Sequence, residues 1–437
     1  MADTDDLQRQ FYEMLLESQW WTAAELRAYQ RSQLSQLLRH AKANVPFYEA
    51  RLDAVLKANG DIDWERWHEI PIVTRGDMVQ HVGVMQAREL PPGHGPTSIS
   101  ETSGSSGVAI AITTNRLSQL ANNGLRWRGQ LWNELDWSRG LLVRDGSDPN
   151  EAAPPRGKRT GVWGPPWEAV AQEGWCLQIN KLASGEELLR LARDAHCDYV
   201  NTGPKTAHTL ALDANRLGLD VRIEAFLCQG EAVNDADRAA ARSAFGARLI
   251  EHYSAKEGGQ IAHPCEAGHL HVNSECVLME IIREDGRPAE TGQAGRVVVT
   301  PFFHTAQPLI RYAQGDWAVA GAPCSCGRHL PVVDSILGRE LAIFRHPDGR
   351  ALVQVLPMAA RHALHCHFLQ VAQVGANTYE VRYVPRDGAP AVDETLFMEH
   401  FRRVWFDDAE VAFRPVDSIP LTQSGKMLEY VNEWNAA

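Results

Sequence analysis

Six consecutive residues, Thr102-Ser103-Gly104-Ser105-Ser106-Gly107, pack four hydroxyls and two glycines into one short stretch. Glycine lets backbone N–H groups close on an anion, and hydroxyls rotate to donate to its oxygens, so phosphate binding is the chemistry on offer. No Gly-Lys-Ser/Thr follows, so this is not a Walker loop, and a solvated Ser/Gly turn is the competing reading. Four later stretches join it: Gln229-Gly230-Glu231, Tyr253-Ser254-Ala255-Lys256-Glu257, Ile310-Arg311-Tyr312-Ala313-Gln314-Gly315-Asp316, and Ile419-Pro420 running to Thr422-Gln423-Ser424-Gly425-Lys426. Singly, each has a bland counterpart. Asp316 suits a turn, Arg339 a surface ion pair, Glu257 a solvated carboxylate, Lys426 a solvated charge, and Tyr253 the core. Their order along one chain argues for a shared ligand.

A second constellation has metal-ligand character. Cys324-Ser325-Cys326-Gly327 is a tight thiol pair on a Pro/Gly-rich turn, and Cys265 precedes His269-Leu270-His271. Three thiolates and one imidazole, Cys265, Cys324, Cys326 and His271, complete a tetrahedral Zn²⁺ shell with no open position, hence a structural one. The spacing scarcely separates His271 from His269, and reduced residues that never meet are the alternative. Cys176, Cys197, Cys228, Cys276 and Cys366 lie in apolar or helical surroundings and read as core.

The elements that position these residues follow from periodicity. Leu7, Phe11, Met14 and Leu15 recur at helical spacing, and Thr22 with Glu25 forms a capping box ahead of the stripe Leu26, Leu34, Leu37, Leu38, Ala41. Val45-Pro46 ends that helix. The polar hexapeptide lies between Pro96–Glu101 and the apolar run Val108–Thr113, two extended segments. Ser118 to Trp137 reads as a helix rich in Leu and Trp, one edge of which could face a pocket, and Glu151–Pro166 as an exposed loop. Helix and strand then alternate: a helix capped by Ser184 and Glu187, a strand at Tyr199-Val200, a helix over Thr206–Leu217, a strand over Val221–Cys228, a helix over Asn234–Phe245 and a strand over Arg248–His252. This rhythm predicts a parallel sheet covered by helices, with ligands at the carboxyl ends of its strands. Beyond Tyr253 the pattern turns to strands, His269–Val272, Val277–Ile282 and Gly295–Pro301, a β-subdomain. After Gly338-Arg339-Glu340 come strands at Tyr379–Val384 and Val411–Val416 with a helix over Glu394–Val404, a compact α+β module.

The chain has 437 residues, enough for more than one core, and a formal net charge of −12, which argues against nucleic acid or an anionic membrane as partner. The N-terminal Met-Ala-Asp-Thr-Asp-Asp is no secretory signal, and no apolar run approaches the roughly 20 residues of a membrane helix. Eight cysteines at this length do not suggest a disulfide scaffold. A cytoplasmic protein with reduced thiols is expected.

The five polar stretches, in this order, resemble the adenylate-forming superfamily of acyl-CoA ligases. The short C-terminal module and the Cys324-Ser325-Cys326-Gly327-Arg328 element are most similar to its phenylacetate-CoA ligase-like branch, some members of which look similar at the Cys/His positions. The resemblance implies an α/β large domain over residues 1–338, with a helix-covered parallel sheet and a β-subdomain, and a small α+β domain over 341–437 that rotates about a hinge at Glu340. It implies ATP held by Thr102, Ser103, Gly104, Ser105, Ser106 and Gly107 at the β- and γ-phosphates, by Tyr253 against the adenine with Gly230 allowing close approach, by Asp316 at the ribose and by Arg339 at the ribose or phosphate, with Glu231 and Ser254 also in the nucleotide site. Glu257 would hold Mg²⁺ and Lys426 would reach the α-phosphate and the substrate carboxylate. A carboxylic acid, expected aromatic from the branch and from Trp163-Gly164-Pro165-Pro166-Trp167, becomes an acyl adenylate and then passes to coenzyme A. An amine or a carrier-protein thiol is the alternative acceptor, a catalytically degenerate nucleotide-binding protein the alternative class, and a homodimer is allowed. Three positions depart from the pattern. The loop reads Gly107-Val108-Ala109 where Gly-Lys-Pro is usual, Lys256 stands where a hydroxyl is expected, and Glu340 stands where Asp or Lys is usual.

Overall fold

The structure is a computed structural model that describes residues 2–57, 59–101, 110–145, 151–339, 344–348, 351–352, 356, 358–386, 388–404, 408–420 and 427–434. The polar loop Thr102–Gly107, the hinge Glu340 and Lys426 lie outside them, as does the side chain of Arg339. Two helices open the chain, α1 (Ala2–Ser18) and α2 (Ala23–Asn44). The Thr22–Glu25 capping box forms, and the buried stripe of α2 is Leu26, Leu34, Leu37, Leu38 and Ala41, the set the periodicity selects. A short helix α3 (Arg75–Gln80) starts at a second box, Thr74 with Asp77. Strands β1 (Thr97–Glu101) and β2 (Ala111–Asn115) pair antiparallel, Glu101 against Ala111, so the segments flanking the polar loop form a hairpin.

Next comes α4 (Arg116–Trp132), shorter at its end than the Leu/Trp spacing predicts. The chain turns at Glu134, whose φ is 54°, and Leu135 and Trp137 remain buried without being helical. The α/β stretch contains β3 (Gly140–Arg144), β4 (Lys158–Thr160), β5 (Trp175–Ile179), α5 (Gly185–Asp194), β6 (Cys197–Thr202), α6 (Pro204–Leu217), β7 (Ala225–Gln229), α7 (Asp235–Phe245) and β8 (Arg248–Ala255). Boxes at Ser184–Glu187 and Asn234–Asp237 start α5 and α7, and left-handed Gly218 and Gly246 stop α6 and α7. The segment read from sequence as an exposed loop contains β4 and the buried Trp163.

β9 (Gly259–Pro264), β10 (Leu270–Val272), β11 (Val277–Ile282), β12 (Ala294–Pro301), β13 (Tyr312–Ala320) and β14 (Val332–Arg339) follow. They do not make a separate sheet. Among the described residues one sheet runs β11-β12-β13-β14-β10-β9-β8-β7-β6-β3-β5-β4. β5, β3, β6, β7 and β8 are parallel neighbours. β8 is the switch: residues 248–252 pair parallel with β7, and Tyr253–Ala255 pair antiparallel with β9. α5, α6 and α7 cover one face of the parallel half through a core of Leu188, Leu189, Val200, Phe226 and Leu249. On the other face Tyr12 of α1 and Trp127 of α4 pack on Leu141, Tyr199, Leu227 and Ile250. A fully buried ion pair, Arg128 with Glu275 at 2.6 Å, ties α4 to the turn before β11; Arg128 also donates to the Leu15 carbonyl at 3.2 Å.

The remainder folds around its own core. It comprises β15 (Phe344–Arg345), β16 (Ala351–Leu352), α8 (Met358–Ala363), β17 (Cys366–Gln373), β18 (Thr378–Pro385), α9 (Glu394–Val404), β19 (Glu410–Pro415) and β20 (Tyr430–Asn432). A four-stranded sheet, β19-β18-β17-β20, packs Leu369, Val371, Tyr379 and Val381 with Phe397 and Phe401 of α9 and Phe344 of β15, the α+β module expected. No helix among the described residues is long and apolar enough to cross a membrane.

Candidate functional site

The switch in β8 sets the site. A strand that changes from parallel to antiparallel partners leaves its end open to solvent, with turns from both halves of the sheet beside it. Tyr253 is the first residue past the switch. Its ring packs in the core and its hydroxyl donates to Asp316 Oδ2 at 2.9 Å. Asp316 on β13 is paired in register with Arg339 on β14. Gly315, at φ 77°, and Gly338, at φ 95°, take backbone conformations that favour glycine beside each of them. Sequence-distant Tyr253, Asp316 and Arg339 are therefore brought together.

The Gln229-Gly230-Glu231 turn follows β7 and joins the same corner. Gly230 has φ 85°, and Ser254 Oγ lies 3.5 Å from Gln229 Oε1. Glu231 Oε1 accepts a hydrogen bond from the Met427 amide at 2.9 Å. Met427 directly follows Lys426 in the chain. The C-terminal module docks nearby: Glu429 Oε2 lies 3.3 Å from Asn234 Nδ2 and 3.9 Å from Lys205 Nζ, Glu429 also pairs with Arg361, and Phe368 stands 4.9 Å from the His208 ring. Asp237 receives Lys205 at 2.6 Å and His208 at 3.0 Å. Burial alone would raise the Asp237 carboxyl, but Lys205 and His208 hold it below the ordinary range.

Glu257 is buried just beyond β8 and lies 3.9 Å from Arg75. Arg75 is a contact the sequence reading missed; the signal was the Thr74–Asp77 capping box, which seats Arg75 at the first helical position of α3. Lys256, which stands where the family has a hydroxyl, is exposed. Arg311, within the third polar stretch, is 4% exposed and clamps the carbonyls of His68 and Ile70 at 2.7 and 2.8 Å, so it braces the loop. Trp163 and Trp167 pack under α4 with Tyr12, Trp127 and Tyr199.

The cysteine constellation also assembles. Ligand atoms of Cys265, His271, Cys324 and Cys326 lie within 4.8 Å of one another. The Cys265–Cys324 Sγ separation is 3.8 Å. A disulfide needs about 2.05 Å, whereas Zn–S bonds of about 2.3 Å give a tetrahedral edge of about 3.8 Å. Cys326 Sγ stands 3.3 Å from His271 Nε2. His271 Nδ1 lies 3.0 Å from the Leu330 carbonyl, which only accepts, so Nδ1 carries the proton and Nε2 faces the thiols with a free lone pair. That favours His271 over the exposed His269, although His269 Nδ1 touches Cys324 at 3.2 Å. The five remaining cysteines are all buried, as expected.

This is the fold of the adenylate-forming acyl-CoA ligases. No family model matches the chain. A phenylacetate-coenzyme A ligase of Thermus thermophilus is 25% identical over 334 residues, covering 72% of this chain and 70% of that protein. A 2-hydroxyisobutyryl-CoA ligase in the postadenylation state, in complex with 2-HIB-AMP, superposes with a TM-score of 0.75 at 18% identity, over 94% of this chain and 90% of that one. The same ligase in the thioesterification state, with 2-HIB-AMP and CoA, gives 0.61 at 19% identity, over 95% and 93%.

Proposed function

We propose that this protein is an AMP-forming acid–thiol ligase that activates a carboxylic acid, an aromatic one on the branch resemblance, and transfers the acyl group to coenzyme A. The acid's carboxylate attacks the α-phosphorus of ATP, and pyrophosphate leaves with the electron pair of the broken P–O bond. The coenzyme A thiol, losing its proton, then attacks the acyl carbonyl; the C–S bond forms and AMP departs. The substrate supplies its own nucleophile, so the protein's task is positioning and charge neutralisation. In this reading Tyr253 flanks the adenine, Asp316 accepts from the ribose hydroxyls with Arg339 beside it, and Gly230 lets the backbone approach the base. Glu257 would hold Mg²⁺ through one hard carboxylate oxygen, and the ion would supply charge neutralisation at the phosphates. Lys426 meets the charge that builds at the α-phosphate.

One observation carries the reading. The amide of Met427 on Glu231 seats the residue after Lys426 on the turn that neighbours Tyr253 and Asp316. The domains are residues 1–338 and 341–437, and the smaller one rotates between the two steps. The test is pyrophosphate release with a panel of carboxylic acids, with and without coenzyme A. Acid-dependent release followed by acyl-CoA is expected. An adenylate that persists until an amine or carrier is added moves the acceptor, and no release with any acid overturns the assignment.

We also propose that Cys265, His271, Cys324 and Cys326 hold a structural Zn²⁺. All four ligand positions are filled from the protein, and Leu26, Trp132 and Leu330 close over the cluster. Protein purified without a histidine tag should carry one zinc per chain. Metal-free protein whose thiols react freely with a thiol reagent would remove the zinc.

A further inference from the structure

The nucleotide corner leaves open what selects the acid, and α4 supplies a candidate. Asn122, Arg126, Gly129 and Asn133 follow one another at spacings of four, three and four residues, which lays them along one side of the helix and its end. That side runs against β9. Asn122 Oδ1 accepts from the Gln260 amide at 3.0 Å, a Cβ placed on Gly129 would come within 2.6 Å of the His263 ring, and Asn133 Nδ2 donates to the Pro264 carbonyl at 3.0 Å. Arg126 sits between these contacts, on the inward stripe. Yet it is exposed, while Leu125, Trp127 and Arg128 beside it are buried. The seam between helix and sheet is closed one turn above and one turn below Arg126, and open at it.

Arg126 makes no hydrogen bond or ion pair among the described residues. The guanidinium is accessible, yet the protein packed around it, with no counter-charge, holds its pKa below the ordinary value. The titratable groups that act on it or feel it are Cys176, His252 and His263; no carboxylate is among them. His252 ends the parallel part of β8, one residue before Tyr253. It is 9% exposed, its ring stands 4.9 Å from His263 at 83°, and its Nε2 has no partner among the described residues. Burial, with Arg126 adding to it, pushes the imidazole down to about 4, so it stays neutral. A cation lacking an acid partner thus stands at the gap in the seam, with the buried, neutral imidazole of His252 near enough to feel its charge.

Resting on the ligase reading above, we propose that Arg126 binds a second carboxylate of the acid, so that the preferred substrate is a dicarboxylic acid activated at its other end. The planar fork of arginine matches a carboxylate bidentately, and the exchange of water for a fixed counter-charge is most favourable in such a recess.

Pyrophosphate release with paired acids tests this: phenylacetate beside 4-carboxyphenylacetate, and hexanoate beside adipate. In the native protein the diacid of at least one pair should have the higher kcat/KM. Arg126→Met should lower kcat/KM for that diacid about 10- to 100-fold, the range of a charge-assisted hydrogen bond, while the monoacid and the KM for ATP stay within about threefold. Arg126→Lys should restore part of the loss. Since Arg126 is exposed, the variants should keep the native melting temperature, read in the same preparations. Release with monoacids only, or a diacid-to-monoacid ratio unchanged in Arg126→Met, overturns the proposal and leaves the ligase reading standing. Absence of release with every acid overturns both.

Discussion

Two polar clusters hang on the same long sheet, and they are built on opposite plans. At the end of β8 the half-buried side chains of Glu231, Ser254 and Asp316 gather around the buried Tyr253; they come from the turn after β7, from β8 and from β13. At the far side of β10 and β14 three thiols and an imidazole lie within 4.8 Å, under Trp132 and Leu330. The first arrangement leaves room for a ligand and depends on each strand being held by its own packing. The second has no room left, and its members hold the loops that carry them. Substitutions should therefore separate activity from stability: the open cluster governs turnover, the closed one the melting temperature.

The sharpest way to break this contrast is Lys426→Ala. If the tail lysine meets charge only in the transition state, its loss should lower acid-dependent pyrophosphate release by about 10²–10³, as for other single electrostatic donors. ATP affinity and the thermal transition should stay in place. Unchanged release would mean that another cation does this work. The reciprocal variant is Cys324→Ser. It should release the zinc and destabilise the protein by about 3 kcal/mol, the scale of losing a structural ligand set. Turnover measured well below the melting temperature should persist. A variant that melts like the native protein but turns over poorly would exchange the roles of the two clusters.

Acid pH attacks the scaffold that both share. His252 and His304 are buried, and burial pushes each down to about 4. The unfolded chain, titrating near 6.5, binds these protons first, so stability is complete above about pH 6.5 and falls as pH drops toward 4. Each histidine contributes a slope of about 1.4 kcal/mol per pH unit within that window. Denaturant melts at several pH values read this directly, and His304→Gln should flatten the curve. A slope that survives the substitution would place the titrating group elsewhere.

Much of this layout was legible in the residues. Caps such as Thr22–Glu25 and Ser184–Glu187 are local, and their geometry forms as the sequence dictates. Tyr253 and Asp316 could be paired only through the resemblance, because 63 positions separate them and no periodicity connects them. The strands β3 and β5 escaped the reading, since each is five residues long and between them lies a Pro/Gly-rich segment that reads as loop. Trp163 escaped for the same reason: its polar, turn-rich neighbours suggest solvent, while its ring lies 5.5 Å from Tyr199 in the core. The continuity of the large sheet was also hidden, because it depends on β8 changing partners at Tyr253, a register event that leaves no mark in composition.

The smallest expected effect bears on how much the open cluster is organised before its ligand arrives. In Tyr253→Phe the ring keeps its place among the core residues, and only the hydroxyl that donates to Asp316 at 2.9 Å is lost. The carboxylate remains solvated, so no buried charge is stranded, and the loss should be that of one ordinary hydrogen bond, about 1 kcal/mol. If that bond fixes the Asp316 rotamer for the ribose hydroxyls, the cost should appear as a roughly fivefold rise in the KM for ATP, with kcat and the melting temperature nearly unchanged. A fall in kcat with constant KM would mean that the hydroxyl acts in the reaction itself. A drop in melting temperature would show that the open cluster, like the closed one, also holds the sheet together.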